Sequence, residues 1–105
     1  MSKPQRGEVW SVDLGLAAKV RPCLVINVTV FPNERALFAV IPHTTSVWST
    51  RFEAVVPVRW LQPGAFDTQG MRPMPEKVFL RRLGALSQTE IAIVEEALLR
   101  WVGVR

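Results

Sequence analysis

The chain is expected to be mainly β with one C-terminal helix, curled into a small half-open barrel. Three observations carry this expectation. Five short runs rich in β-branched and aromatic residues are separated by Gly, Pro, Asn and Ser clusters. One capped, amphipathic helical pattern closes the chain. At 105 residues there is room for one modest core, with 1–105 as a single domain.

The first run, Glu8-Val9-Trp10-Ser11-Val12-Asp13-Leu14, alternates, so Trp10, Val12 and Leu14 share one face. Gly7 and Gly15 bracket it, and a connection of about five residues follows. Val20-Arg21-Pro22 heads the second run, read as a strand over Cys23–Val30. Phe31-Pro32-Asn33-Glu34-Arg35 carries turn chemistry, and Ala36–Ile41 is the third strand. Phe52–Val58 is the fourth, with Pro57 at an edge or bulge. Gln62–Pro75 holds Pro63-Gly64, Gly70, Pro73 and Pro75 and reads as mostly loop. Lys77–Leu83 is a fifth short strand. Ser87-Gln88-Thr89-Glu90 is a capping box, and Ile91, Val94, Leu98 and Trp101 follow at helical spacing to a stop at Gly103. Trp10 and Trp101 are read as core or interface residues, and Cys23 as a buried packing residue.

Composition narrows the function classes. The net charge is +4, and ten of the thirteen cations are arginine. No acid lies between Asp13 and Glu34 or between Glu34 and Glu53, while these windows hold Lys19, Arg21, Arg35 and Arg51. Lys77, Arg81 and Arg82 form a second cluster. Such a balance points to an anionic partner, nucleic acid first, or to a merely solvated basic surface. One cysteine allows no internal disulfide and fits a reducing cytoplasm. One cysteine and one histidine argue against structural zinc, and no cofactor is expected. No apolar run reaches the ~20 residues of a membrane span, and the start Met1–Arg6 lacks an apolar signal core, so a cytoplasmic, membrane-free protein is expected.

The most informative pairing joins Arg21-Pro22 to Ile41-Pro42-His43-Thr44-Thr45-Ser46. If strands two and three form a hairpin about Asn33, opposite residue numbers sum to about 66. Arg21 then faces Thr44 or Thr45. A permanent cation beside hydroxyls at a sheet edge is what a phosphodiester site needs. Arg21 as a plain surface cation, and Thr44 and Thr45 as ordinary strand-end residues, are the bland alternatives. His43 is the one side chain with an ordinary pKa near neutrality, but alternation can aim it to the other face, toward packing or a phosphate contact.

At these residues the chain resembles the MazF/PemK (Kid) toxins of bacterial toxin–antitoxin modules, from Arg6 to about Trp101. The resemblance lies in Arg6-Gly7-Glu8-Val9-Trp10 with Asp13-Leu14, Arg21-Pro22-Cys23-Leu24-Val25-Ile26, Ile41-Pro42-His43-Thr44-Thr45-Ser46, Arg51-Phe52-Glu53 and Thr68-Gln69-Gly70. It implies an SH3-like small barrel of the type shared with the CcdB toxin, a homodimer, and a metal-independent endoribonuclease acting on single-stranded RNA. It further implies an antitoxin whose C-terminal segment blocks the RNA groove. The catalytic arginine maps onto Arg21 and the catalytic threonine onto Thr44. The loop before Arg21, Gly15–Val20, is shorter than in many members. Thr68-Gln69 stands where Asp-Gln is usual, leaving Gln69 as a base-contact candidate.

Metal-free cleavage uses the ribose 2′-hydroxyl as nucleophile and leaves a 2′,3′-cyclic phosphate and a 5′-hydroxyl, so DNA is not a substrate. Arg21 and Thr44 would stabilise phosphate charge, with His43 as the candidate for proton transfer. Lys19, Thr45, Ser46, Arg51, Arg81 and Arg82 are candidates for the RNA backbone, or are simply solvated. Trp48 would stack a base, or pack at a dimer or antitoxin interface. An acidic, disordered antitoxin tail would suit the same basic groove. The rival readings are a silent module that binds RNA, or one that inhibits a protein target such as gyrase.

Overall fold

A computed structural model describes residues 3–105. Met1 and Ser2, at the head of the segment read as lacking a signal core, lie outside the described residues. The strands are β1 (Glu8–Asp13), β2 (Val20–Val25), β3 (Leu37–Thr44), β4 (Glu53–Ala54), β5 (Ala65–Asp67), β6 (Arg72–Pro75) and β7 (Phe79–Ala85). One helix, α1 (Gln88–Trp101), follows them. The sheet order is β4-β5-β3-β2-β1-β7, β6 also pairs with β3, and every pairing is antiparallel. The mainly β fold with a terminal helix is therefore the observed one.

The curled sheet is covered on both faces. Val9, Leu24, Ile41 and Phe66 pack with Ile91, Val94 and Ala97 of α1. On the opposite face Trp10, Val12, Cys23, Val25, Val40 and Phe79 form a second cluster, with Leu14 at its margin. The expected common face of Trp10, Val12 and Leu14 is thus this second cluster. Fully burying a large apolar side chain stabilises by roughly 1.5–3 kcal/mol, so both clusters matter to the fold. Trp10 is core, and its indole N–H donates to Glu8 Oε1 at 3.0 Å. Trp101 is not core: it stays 45% exposed, edge-on to Phe52 with ring centroids 5.1 Å apart.

Five stretches differ from the sequence expectation; the third strand, expected over Ala36–Ile41, runs on to Thr44 as Leu37–Thr44, because β5 pairs with it at His43 and Thr44. The second strand runs over Val20–Val25 rather than Cys23–Val30. It ends because Asn27 substitutes a side-chain acceptor for the ladder: Ala39 N–H donates to Asn27 Oδ1 at 3.0 Å. The fourth strand shrinks from Phe52–Val58 to Glu53–Ala54, because its only strand partner among the described residues is the three-residue β5. The stretch Gln62–Pro75 is not mostly loop but holds β5 and β6. In β6, Pro73 and Pro75 are two apart, so both missing donors point to one side, and β6 pairs only with β3. The last strand is Phe79–Ala85 rather than Lys77–Leu83, since Glu76–Val78 is a 3-10 turn.

Gly7 joins the layers. Its φ of +90° suits glycine, and a Cβ there would lie 2.8 Å from Ile91 Cδ1. Its N–H donates to the Val25 carbonyl at 2.8 Å, and its carbonyl accepts from Leu86 N–H at 2.9 Å. The start of β1 is thereby tied to the end of β2 and to the entry of α1. Among the described residues no helix is long and apolar enough to cross a membrane.

The capping box forms as expected: Ser87 Oγ accepts from Glu90 N–H at 3.2 Å, and Glu90 Oε1 accepts from Ser87 N–H at 2.8 Å. Ser87→Ala should therefore cost about 1 kcal/mol in urea unfolding, without changing the m value. An unchanged midpoint would show the cap to be idle.

Candidate functional site

The beginning of β2 and the end of β3 open onto a cleft of about 430 Å³. Their ladder pairs Cys23 with Pro42, Leu24 with Ile41 and Val25 with Val40. This is within one residue of the register expected from a turn at Asn33. Continued past its last pair, it sets Arg21 opposite Thr44. Both side chains line the cleft, as do Leu14 and Pro42.

Thr44 is fixed by its own loop. Its Oγ1 accepts from Ser46 N–H at 3.0 Å, which leaves the hydroxyl hydrogen to donate to a ligand. Ser46 also lines the cleft, as do Trp48 and Thr50 of the same loop. The Trp48 side chain is 84% exposed. Its backbone is nevertheless held: Trp48 N–H donates to Glu53 Oε2 at 3.0 Å and Thr50 N–H to Glu53 Oε1 at 2.8 Å. Ser49 between them has φ +58°, which turns the amides toward that one carboxylate. Donation from Thr50 and then from Trp48 pushes the Glu53 pKa below its ordinary value.

The opposite wall follows β5. Asp67 caps the 3-10 turn Thr68–Gly70, its Oδ1 accepting from Gln69 N–H at 3.1 Å. Thr68 is buried and donates to the Phe52 carbonyl at 2.7 Å, while the exposed Gln69 lines the cleft. Gly70 presses on Pro42, where a Cβ would come within 2.8 Å of the ring. Arg72 then enters β6, and its Nε–H donates to the Gly70 carbonyl at 3.1 Å. The cleft therefore holds two guanidiniums, Arg21 and Arg72, and two carboxylates, Glu53 and Asp67. It is formally balanced rather than uniformly basic.

Several expected site residues lie elsewhere. His43 takes the packing alternative rather than a place in the cleft: alternation sends it to the face opposite Thr44, where it is 5% exposed and edge-on to Phe66 with centroids 5.0 Å apart. Burial lowers its pKa, so the ring is neutral at pH 7. Arg82 pairs with Glu8 at 3.0 Å, and Arg81 sits beside it on β7, which β1 separates from β2. The Arg51 guanidinium lies 4.6 Å from the centre of the Phe52 ring. Lys19 and Thr45 are exposed near the cleft but do not line it. Cys23 is a buried packing residue as expected; burial pushes its thiol up to about 12, with Arg72 and Arg21 opposing. Among the described residues no three His, Cys, Asp or Glu side chains gather as a metal site requires.

Sequence reasoning missed Arg72, Asp67 and Thr50 as lining residues, and it gave Glu53 no role. Two signals were available. Asp67 stands two before Gln69, the spacing of an Asx turn, and Glu53 stands three after Thr50, the spacing of a reach-back carboxylate.

Comparison with known proteins places the chain in a family and its fold among solved structures. Residues 5–102 match the family described as PemK-like, MazF-like toxin of type II toxin–antitoxin system. An endoribonuclease from a mycobacterial species, solved with its cognate antitoxin, is similar with a TM-score of 0.83 and 18% identity, over 97% of each chain. MazF of Deinococcus radiodurans in a MazE–MazF crystal has a TM-score of 0.79 and 18% identity, over 98% of each chain. The Mycobacterium tuberculosis toxin MazF-mt6 has a TM-score of 0.78 and 23% identity, over 91% of this chain and 96% of its own.

The Glu53 latch has a pH signature. Its folded pKa lies below the ordinary 4.5, so its contribution is complete above 4.5 and is lost as pH falls through the folded value. Glu53→Gln should lower stability most near neutral pH, and the gap to wild type should close in acid. A gap independent of pH would refute the charged latch.

Proposed function

The chain belongs to the PemK-like, MazF-like toxins of type II toxin–antitoxin systems, and from that premise we propose that it is a sequence-selective endoribonuclease of single-stranded RNA. The observation that carries the reading is the convergence of Arg21 and Thr44 in one cleft. It is supported by similar proteins of the same fold that are themselves endoribonucleases.

In this reading a ribose 2′-hydroxyl attacks the adjacent phosphorus and the 5′-oxygen leaves. The products are a 2′,3′-cyclic phosphate and a 5′-hydroxyl. Arg21 meets the phosphate oxygens, where a planar, always charged fork gains most as negative charge grows. Thr44 donates its hydroxyl to a second oxygen, since its lone pair is already engaged by Ser46 N–H. No metal ion has a part in this scheme. Trp48 offers an exposed aromatic face for a base. Gln69, held by the Asp67 cap, offers a donor and an acceptor to a base edge. His43, across β3 from the cleft, packs on Phe66 and takes no part in proton transfer.

The partners follow from the same reading. The protein acts in the cytoplasm as a homodimer, using apolar side chains left exposed on the subunit. An antitoxin with an acidic C-terminal tail covers the cleft, setting carboxylates on Arg21 and apolar groups on Trp48. RNA and tail then compete for one surface.

The deciding experiment incubates the protein with a long RNA in EDTA and maps the new 5′ ends. A silent RNA-binding relative would shift the RNA without cutting it, and an inhibitor of a protein target would do neither. Arg21→Ala and Thr44→Ala should each slow cleavage about 10²-fold or more with the fold intact. His43→Ala should stay within about tenfold of wild type, because a general base typically contributes more than that. Wild-type rates in Arg21→Ala would remove the site assignment.

A further inference from the structure

We propose that Arg72 forms a second phosphate subsite in the cleft, binding a backbone phosphate that flanks the one held by Arg21. The inference rests on the RNA-cleaving reading above and deepens it.

Arg72 is one of two cations that line the cleft. Its Nε–H is committed to the Gly70 carbonyl at 3.1 Å, so the guanidinium is anchored while its terminal nitrogens keep their donors. The anchor is firm because Gly70 is wedged against Pro42 and ends the turn that Asp67 caps. A pre-set guanidinium loses little side-chain freedom on meeting an anion. Arg72 also adds to the positive potential at Cys23, as Arg21 does, so both guanidiniums project their charge into one region.

The register separates their tasks. Arg72 pairs with Val40 on one edge of β3, and Arg21 falls opposite Thr44 on the other. Four residues of strand span on the order of 13 Å. That span separates their backbone anchors on opposite edges of β3, and Thr44 lies at the Arg21 end. Arg72 therefore belongs to a neighbouring phosphate, where it contributes to binding and not to the bond-breaking step.

The test uses Arg72→Gln, Arg72→Lys and, as a control, Arg35→Gln. Arg35 is exposed beyond the turn at the far end of the β2–β3 hairpin and loses the same charge. Binding is measured by anisotropy against salt, with RNA carrying 2′-deoxyribose at the mapped cleavage position. Arg72→Gln should bind about tenfold more weakly, with a salt slope smaller by about 0.7, the share of one phosphate on a single strand. Its cleavage rate at saturating RNA should stay within about threefold of wild type. Arg72→Lys should keep the salt slope although it loses the Gly70 bond, which separates phosphate binding from mere support of the turn. Arg35→Gln should behave as wild type. An unchanged slope in Arg72→Gln, or a 10²-fold loss of saturating rate at unchanged affinity, would overturn the subsite. If the wild type binds mixed-sequence RNA but cuts none, the cleavage reading fails while the slopes still decide Arg72. If it binds no RNA, both fail.

Discussion

The strand β3 has to satisfy three partners, and the site depends on how it does so. One edge pairs with β2 over Val40–Pro42. The other pairs with β6 over Leu37–Val40 and with β5 at His43 and Thr44. The change of partner falls at Ile41 and Pro42, and proline has no N–H to give either neighbour. The two half-sheets diverge there, and the divergence opens the cleft. Arg21, Thr44, Gln69 and Arg72 come from four segments that meet only because β3 splits its edge. Gly70 packs on Pro42 so closely that a Cβ there would come within 2.8 Å of the ring.

Charge in the cleft is divided by task. Glu53 and Asp67 spend hydrogen-bonding capacity on backbone amides, each shaping one wall. Arg72 spends one donor on a backbone carbonyl. A carboxylate bound to two amides is a local anchor, and its field is partly met by the N–H dipoles. The guanidiniums thus dominate at a ligand that brings its own negative charge, although the formal charges cancel. Overall basicity, by contrast, says little about this cleft: Arg81 and Arg82 lie on β7, Arg82 is paired with Glu8, and the Arg51 guanidinium rests on Phe52.

What was legible in the sequence was local or periodic. The alternation in β1, the capping box of α1 and the hairpin register each follow from spacing alone. Cys23 inside an apolar run was legible for the same reason. The rest needed tertiary knowledge. Arg72-Pro73-Met74-Pro75 is a tolerable strand only at an edge, and nothing local says that β6 has one neighbour. Asn27 ends β2 by a contact twelve residues away. Arg81 and Arg82 looked like Arg21 in composition, and only strand order separates them. Thr44 was preferred to Thr45 by resemblance, and the ladder reaches the same choice through register.

If RNA is cleaved as proposed, the cleft constrains how a proton leaves the attacking hydroxyl. The only histidine packs behind β3, and Cys23 is buried with its thiol near 12, so neither serves. Of the carboxylates, Glu53 already accepts from two amides, and those bonds make it a weaker base than an ordinary glutamate. A weak base contributes little unless the charge forming on phosphorus is strongly stabilised. In the proposed reading that stabilisation falls to Arg21 and Thr44, which line the cleft together. As phosphate oxygens gain charge beside a guanidinium, attack and proton loss become easier together, and demand on any single base falls. The arrangement therefore places the burden of catalysis on electrostatics and alignment. In the proposed reading, one arginine and one threonine brought together by a split strand would carry most of that burden.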